Sequence, residues 1–371
     1  MKGNISSGWR WRLRWLGGFV SGERAAVGPY AAVVDVTTRC NLRCFACPRH
    51  APGAAALPSL DFPWAEFQRL CPQLGALGVV KLVLIGEGEP LLHPRLADMI
   101  GLAKRTGLHV TLVSNGTLLD AEAGEALLAA GLDELRVSLW ASTPEEYAHN
   151  CTGNDPRFFA RVIDGLAQLR RRRDAAGRAR PRLTLHRPIE RHGFRGLPAM
   201  VELALAAGCD AVSFSPLKPL AGLGGGRDLD EAAQRELGPI LLRLDESARA
   251  RGLVTNVRAT LERYRIGADV WRALPCYMGW LDLRIRGNGD VMACGTCRTR
   301  LGNVFTTSIA EVWNGAEFRR FRAATRCRSD FEQAGLACDC SFCCHALTNA
   351  RLHRVLGWLP HAPSAGAEAR A

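Results

Sequence analysis

The chain has 371 residues, enough to bury one large core and a smaller appended module. With 47% hydrophobic residues and a net charge of +12, it reads as a globular chain and not a disordered one. No run approaches the roughly 18 unbroken apolar residues of a membrane span. The apolar stretch at residues 16–20 is too short for a signal peptide and is broken by Gly17 and Gly18. The expected compartment is therefore a reducing cytoplasm, where the 14 cysteines are expected to bind metal more often than to pair. Arg far outnumbers Lys. Genome composition explains that as well as attraction to acidic partners does, and no specific nucleic acid is expected.

Residues 1–28 form a basic segment in which Trp9 to Leu16 interleaves tryptophan with arginine. That pattern fits peripheral contact with the inner membrane surface. It fits equally a helix packed across the bottom of a barrel.

Strand and helix patterns alternate from residue 31. A strand at 31–38 precedes a helix at 63–77, opened by Pro63. A strand at 79–85, a helix at 94–106 and a strand at 109–114 follow. The helix at 120–130 is capped by Asp120 and closed by Gly131. Then come a strand at 135–140, a helix at 156–173, a strand at 182–186, a helix at 197–207 and a strand at 211–215. Six strand–helix units with buried strands imply a parallel sheet with right-handed crossovers. The expected fold is α/β, a partial (β/α)6 TIM-like barrel over residues 29–220.

Residues 221–270 read as a linking segment with a glycine-rich loop and a long helix from Leu229 to Arg251. Eight of the 14 cysteines lie after Pro275. A hairpin there runs through 281–286, turns at Gly287-Asn288-Gly289-Asp290 and returns through 291–293. A helix at 309–322 follows. Residues 271–350 are expected to form a small cysteine-rich β-hairpin/α module, and 351–371 a tail.

Cys40, Cys44 and Cys47 lie within eight residues, directly after the first strand. Three thiolates on a short loop suit three corners of a [4Fe–4S] cluster, leaving one iron open for chemistry. A zinc loop with His50 as fourth ligand satisfies the same spacing. One strand later comes Gly86-Glu87-Gly88-Glu89-Pro90, where Gly88 has no side chain to block close backbone approach.

This stretch, with Thr37 to Leu42 before it and Phe45 inside it, resembles the radical S-adenosylmethionine (radical SAM) superfamily. The resemblance implies that S-adenosylmethionine chelates the open iron and is cleaved to a 5′-deoxyadenosyl radical. It implies cofactor contacts from Phe45, Gly88, Glu89, Pro90, Ser114, Asn115 and Ser138. It also implies an electron donor such as flavodoxin or ferredoxin.

Cys276 and Cys294 flank the hairpin, and Cys340 and Cys343 form a close pair, four ligands in all. The arrangement resembles the SPASM or twitch auxiliary module of the same superfamily, and one auxiliary [4Fe–4S] cluster is expected. Cys297, Cys327, Cys338 and Cys344 are unassigned and leave room for a second. Cys71, Cys151 and Cys209 read as packing residues.

The reaction expected first is oxidation of a small polar, sugar-like molecule. The alternative is modification of a peptide or protein side chain. A non-catalytic iron–sulfur or zinc protein that binds nucleic acid is the reading from another class. His186, Arg187, His192 and Lys218 lie near strand ends as candidate bases, each equally at home in a structural role.

Overall fold

The computed structural model describes residues 19, 22–55, 58–151, 155, 157–217, 227–266, 274–326, 334–338 and 343–356. The chain divides into two compact units. One comprises Asp35–Trp64 and Val83–Arg265, the other Met1–Val34, Ala65–Leu82 and Ile266–Ala371. Strands β1 (Ala31–Asp35) and β2 (Lys81–Ile85) contribute residues to both.

In the first unit the strand order is β2-β3-β4-β5-β6-β7, with β3 (His109–Ser114), β4 (Glu134–Ser138), β5 (Arg182–Ile189), β6 (Ala211–Pro216) and β7 (Val254–Thr255). Each paired neighbour from β3 to β7 runs parallel. Parallel strands need crossovers, and amphipathic helices supply them. These are α2 (Leu96–Arg105), α3 (Ala121–Ala129), α5 (Arg157–Ala175) and α6 (Ala199–Ala206), while α1 (Trp64–Leu77) lies between β1 and β2. Alternate strand residues such as Leu82, Leu84, Leu135 and Val137 are fully buried and their neighbours partly so, because side chains along a strand point to opposite faces. The expected α/β class and partial (β/α)6 barrel are what the chain adopts.

Asp120 caps α3 by accepting the amide of Ala123. One short helix was not expected, α4 (Pro144–Asn150), capped by Thr143 with Pro144 in its first turn. At seven residues it is too short to show a helical period. The linking region holds the expected long helix α7 (Glu231–Ala250), then β7 and α8 (Val257–Ile266), neither of which was expected.

In the second unit the order is β10-β9-β8-β1, with β8 (Asp282–Ile285) after the short helix α9 (Met278–Leu281). β8 runs parallel to β1 and antiparallel to β9 (Asp290–Met292), which pairs with β10 (Gly302–Asn303). The hairpin turns where expected: the amide of Arg286 donates to the Asp290 carbonyl at 2.9 Å. Gly289 takes a φ of +82° there, which side chains disfavour.

The single helix expected at 309–322 is two, α10 (Ile309–Trp313) and α11 (Ala316–Arg326). The break has a cause. Asn314 turns its side chain to the irregular segment at Ala25, accepting its amide at 2.9 Å and donating to its carbonyl at 3.0 Å. Arg322 fills the space behind, buried over the Trp313 ring at 4.4 Å and donating to the Trp313 carbonyl. A final helix, α12 (Ala346–Leu356), continues into the segment read as a tail from residue 351. Trp9 to Leu16, Lys218, Cys327 and Cys340 lie outside the described residues. Among the described residues no helix is long and apolar enough to cross a membrane.

Candidate active site

The cysteine loop follows β1, at the end of the strand where βα loops build active sites in barrel folds. Cys40, Cys44 and Cys47 are each half-buried. The Cys40 sulfur accepts the Leu42 amide at 3.4 Å and the Cys47 sulfur accepts the His50 amide at 3.3 Å. Backbone N–H groups aimed at sulfur favour the thiolate that iron binds. Burial acts the other way, pushing the Cys40 thiol up to about 12 and raising Cys47 as well. A cation bound by all three would reverse that cost, so the donor set fits a metal cluster. Among the described residues no three Cys, His or carboxylate groups converge on a point suited to one metal ion. The ligands of a cubane bind separate corners and need no such convergence.

The zinc reading needed His50. Its Nε2 instead pairs with the Thr38 carbonyl at 2.9 Å, which turns the ring to the backbone of its own loop.

The Gly86–Pro90 stretch packs directly under this loop. The amide of Gly88 donates to Thr37 at 3.1 Å and that of Glu89 to Arg39 at 2.7 Å. A Cβ on Gly88 would lie 1.9 Å from the Arg39 carbonyl oxygen. The close approach that this glycine permits is thus to the cysteine loop, where the sequence reading anticipated the cofactor.

Glu89 is also committed within the protein. Its fully buried carboxylate accepts the Ser114 hydroxyl at 2.7 Å, the Asn115 amide at 2.6 Å and the Leu91 amide at 3.0 Å. Burial raises its pKa and those three donors oppose the shift. Pro90 opens a 3-10 turn, Pro90–Leu92. Asn115 reaches back to the loop, donating from Nδ2 to Asn41 Oδ1 at 2.9 Å, while Asn41 donates to the Thr117 hydroxyl at 2.7 Å. The structure therefore joins the cysteine loop, the end of β2 and the end of β3 in one network. Asn41 and Thr117 were not singled out in the sequence, although Asn41 stands inside the motif.

Phe45 meets the Trp140 ring edge-on at 5.7 Å, and the Arg227 guanidinium lies over its face at 3.7 Å. Arg227 also donates to Asn150 Oδ1 at 2.8 Å. No sequence signal marked it. Ser138 ends β4, half-buried and in register with His186 on β5.

Of the candidate bases, His186 is held between Ser213 at 2.9 Å and Ser215 at 3.2 Å. Burial, with Arg136 nearby, lowers its pKa to about 4. Arg187 is buried against Glu146, Ser142 and the Gly193 carbonyl, a structural role. His192 is exposed. Cys151, read as a packing residue, lies with its sulfur 3.6 Å from that of Cys44.

In the second unit, Cys294 and Cys343 are buried and Cys276 is half-buried. Burial pushes the Cys343 thiol up, and Cys344, Cys276 and Cys294 add to the shift. Cys344, unassigned by spacing, is exposed and adjoins Cys343 in the chain. Cys297 and Cys338 make a separate pair, bridged through their backbones with sulfurs 2.8 Å apart. Clustered thiols, buried at Cys294, Cys297 and Cys343 and exposed at Cys344, are a donor set suited to iron–sulfur ligation.

Residues 34–175 match the radical SAM superfamily, and residues 276–345 match the SPASM iron–sulfur cluster-binding domain. The chain is 26% identical over 302 residues to the PqqA peptide cyclase of Xanthomonas campestris pv. campestris (strain 8004), covering 79% of this chain and 76% of that protein. It is 28% identical over 325 residues to the PqqA peptide cyclase of Ruegeria pomeroyi, covering 83% and 81%. Streptococcus suis SuiB bound to S-adenosylmethionine has a similar fold, with a TM-score of 0.64 and 15% identity over 87% of this chain and 74% of that one. So does anSMEcpe with bound AdoMet, at 0.60 and 14% over 90% and 100%. The chain belongs to the radical SAM superfamily: it is an enzyme that uses S-adenosylmethionine with a [4Fe–4S] cluster and carries auxiliary iron–sulfur centres in a C-terminal SPASM domain.

Proposed function

We propose that this enzyme modifies a side chain of a peptide, with its S-adenosylmethionine cluster held by Cys40, Cys44 and Cys47. The observation that carries the substrate class is the similarity, over about four fifths of the chain, to proteins named PqqA peptide cyclase. It favours the peptide alternative over the small sugar-like molecule expected first. When bound, the cluster and S-adenosylmethionine supply a carbon radical that takes a hydrogen atom from the substrate.

The chain's own residues build the surroundings of that event. Leu42 and His50 donate backbone N–H groups to two ligand sulfurs. Glu89, Ser114, Asn115 and Asn41 lock the loop to two strand ends, so the ligands are positioned before the cluster binds. Phe45, Gly88, Pro90 and Ser138 remain the positions proposed to border S-adenosylmethionine, and Arg227 over Phe45 adds a cation to that border. Cys276, Cys294 and Cys343 are proposed as auxiliary-cluster ligands together with Cys340 or Cys344. The electron donor is proposed to be a flavodoxin or ferredoxin.

The test is anaerobic reconstitution with iron and sulfide, then incubation with S-adenosylmethionine, dithionite and the short peptides encoded beside the gene. 5′-Deoxyadenosine should form, with a mass change in one peptide. Replacing Cys40, Cys44 and Cys47 together by Ala should abolish both, remove about four irons and leave the auxiliary iron. Oxidation of a sugar alcohol with every peptide unchanged would return the reading to the small-molecule alternative.

A further inference from the structure

The end of α4 backs the cysteine loop. The Asn150 carbonyl accepts the Phe45 amide at 3.0 Å, and the Asn150 side chain is held by the Trp140 carbonyl at 2.6 Å and by Arg227. The next residue, Cys151, is buried and places its sulfur 3.6 Å from that of Cys44, a normal length for a hydrogen bond between sulfurs. One turn earlier on the same helix is Tyr147, only 2% exposed. Its hydroxyl is buried without a well-formed hydrogen bond. Cys151, one turn on, is its hydrogen-bonding neighbour. A buried hydroxyl is costly when it lacks an acceptor, and the Cys151 sulfur is the one beside it.

We propose that Cys151, together with Tyr147, is a positioning residue for the cluster held by Cys40, Cys44 and Cys47: its thiol donates a hydrogen bond to the Cys44 sulfur and raises the reduction potential of the cluster. Cys44 as an iron ligand is anionic and can only accept, so the neighbouring thiol is the donor. Hydrogen bonds to cluster sulfurs offset the negative charge gained on reduction, and so make the reduced state easier to reach. The Tyr147 hydroxyl acts in the same sense through Cys151, which it neighbours. This role depends on Cys40, Cys44 and Cys47 being the ligands.

Potentiometric titration followed by electron paramagnetic resonance tests it, reading the signal that changes on adding S-adenosylmethionine. In Cys151→Ala and in Tyr147→Phe the midpoint should move to lower potential with iron content unchanged. Cys151→Ser, which keeps a donor, should restore part of the shift. Tyr147→Phe removes only an oxygen, so it decides the matter if Cys151→Ala fails to fold. A wild-type midpoint in both variants would overturn the proposal. So would the loss of four irons in Cys151→Ala that Ser does not restore, because Cys151 would then be a ligand. Failure of the ligand assignment looks different: the triple Cys40, Cys44, Cys47→Ala variant would keep the S-adenosylmethionine-sensitive signal.

Discussion

The carboxylate of Glu89 accepts the backbone amide of Asn115 at 2.6 Å, and in doing so ties the end of β2 to the end of β3 beneath the cysteine loop. Ser114 and Leu91 complete the set of donors around it. Glu89→Gln presents an amide N–H₂ to groups that are themselves donors. Leaving a buried donor unsatisfied costs about 1–3 kcal/mol. The variant should lose about that much in chemical denaturation and bind S-adenosylmethionine more weakly in equilibrium titration. Equal stability and affinity would show that the network does not hold the site.

Gly88→Ala places a methyl group against the Arg39 carbonyl, with no flexible side chain to yield. The loop has to move, so reconstituted iron at the first cluster should fall sharply while auxiliary iron persists. Gly101→Ala is the contrasting control. It lies inside α2, where the added carbon meets only the flexible end of Arg105 at 3.5 Å. It should be neutral, or stabilising by up to about 1 kcal/mol from helix propensity.

His50 separates zinc from iron chemistry at the loop. Because its ring pairs with the Thr38 carbonyl, His50→Ala should retain the iron content of the wild type. The cost should be about 1 kcal/mol of stability for the lost hydrogen bond. A metal analysis showing zinc in the wild type and none in this variant would favour the zinc loop instead.

His186 gives a pH signature. Its folded pKa, near 4, lies below the ordinary 6.5 because burial, then Arg136, disfavours the imidazolium. A depressed basic group contributes stability that is fully present above pH 6.5 and is lost as pH falls from 6.5 toward 4. Between pH 7.5 and 5.5 the loss should be roughly 1 kcal/mol. His186→Gln should flatten that part of the stability profile in urea denaturation. An unchanged slope would mean that the ring titrates normally.

Much of the fold and site is legible in the sequence. The spacing of Cys40, Cys44 and Cys47 and the strand–helix alternation are local properties of the chain, and so is the Asp120 cap. They depend on residues a few positions apart, so the sequence states them directly. Element ends were less legible. Asn314 was read as helical because its own neighbours favour a helix, yet its side chain is drawn to Ala25, 289 positions away.

What only the tertiary structure decided is which distant groups share a space. Cys151 is 107 residues from Cys44 and carries no motif; folding brings the end of α4 against the loop and turns an ordinary buried cysteine into a neighbour of a ligand. Cys297 and Cys338, 41 residues apart, are paired in the same way. The Gly88 backbone also makes room for the Arg39 carbonyl, a packing partner 49 positions away that its own neighbours do not reveal. Short-range spacing determined which chemistry the chain carries. Long-range packing determined which groups support it, since a contact between residues far apart in sequence exists only once the fold has closed between them.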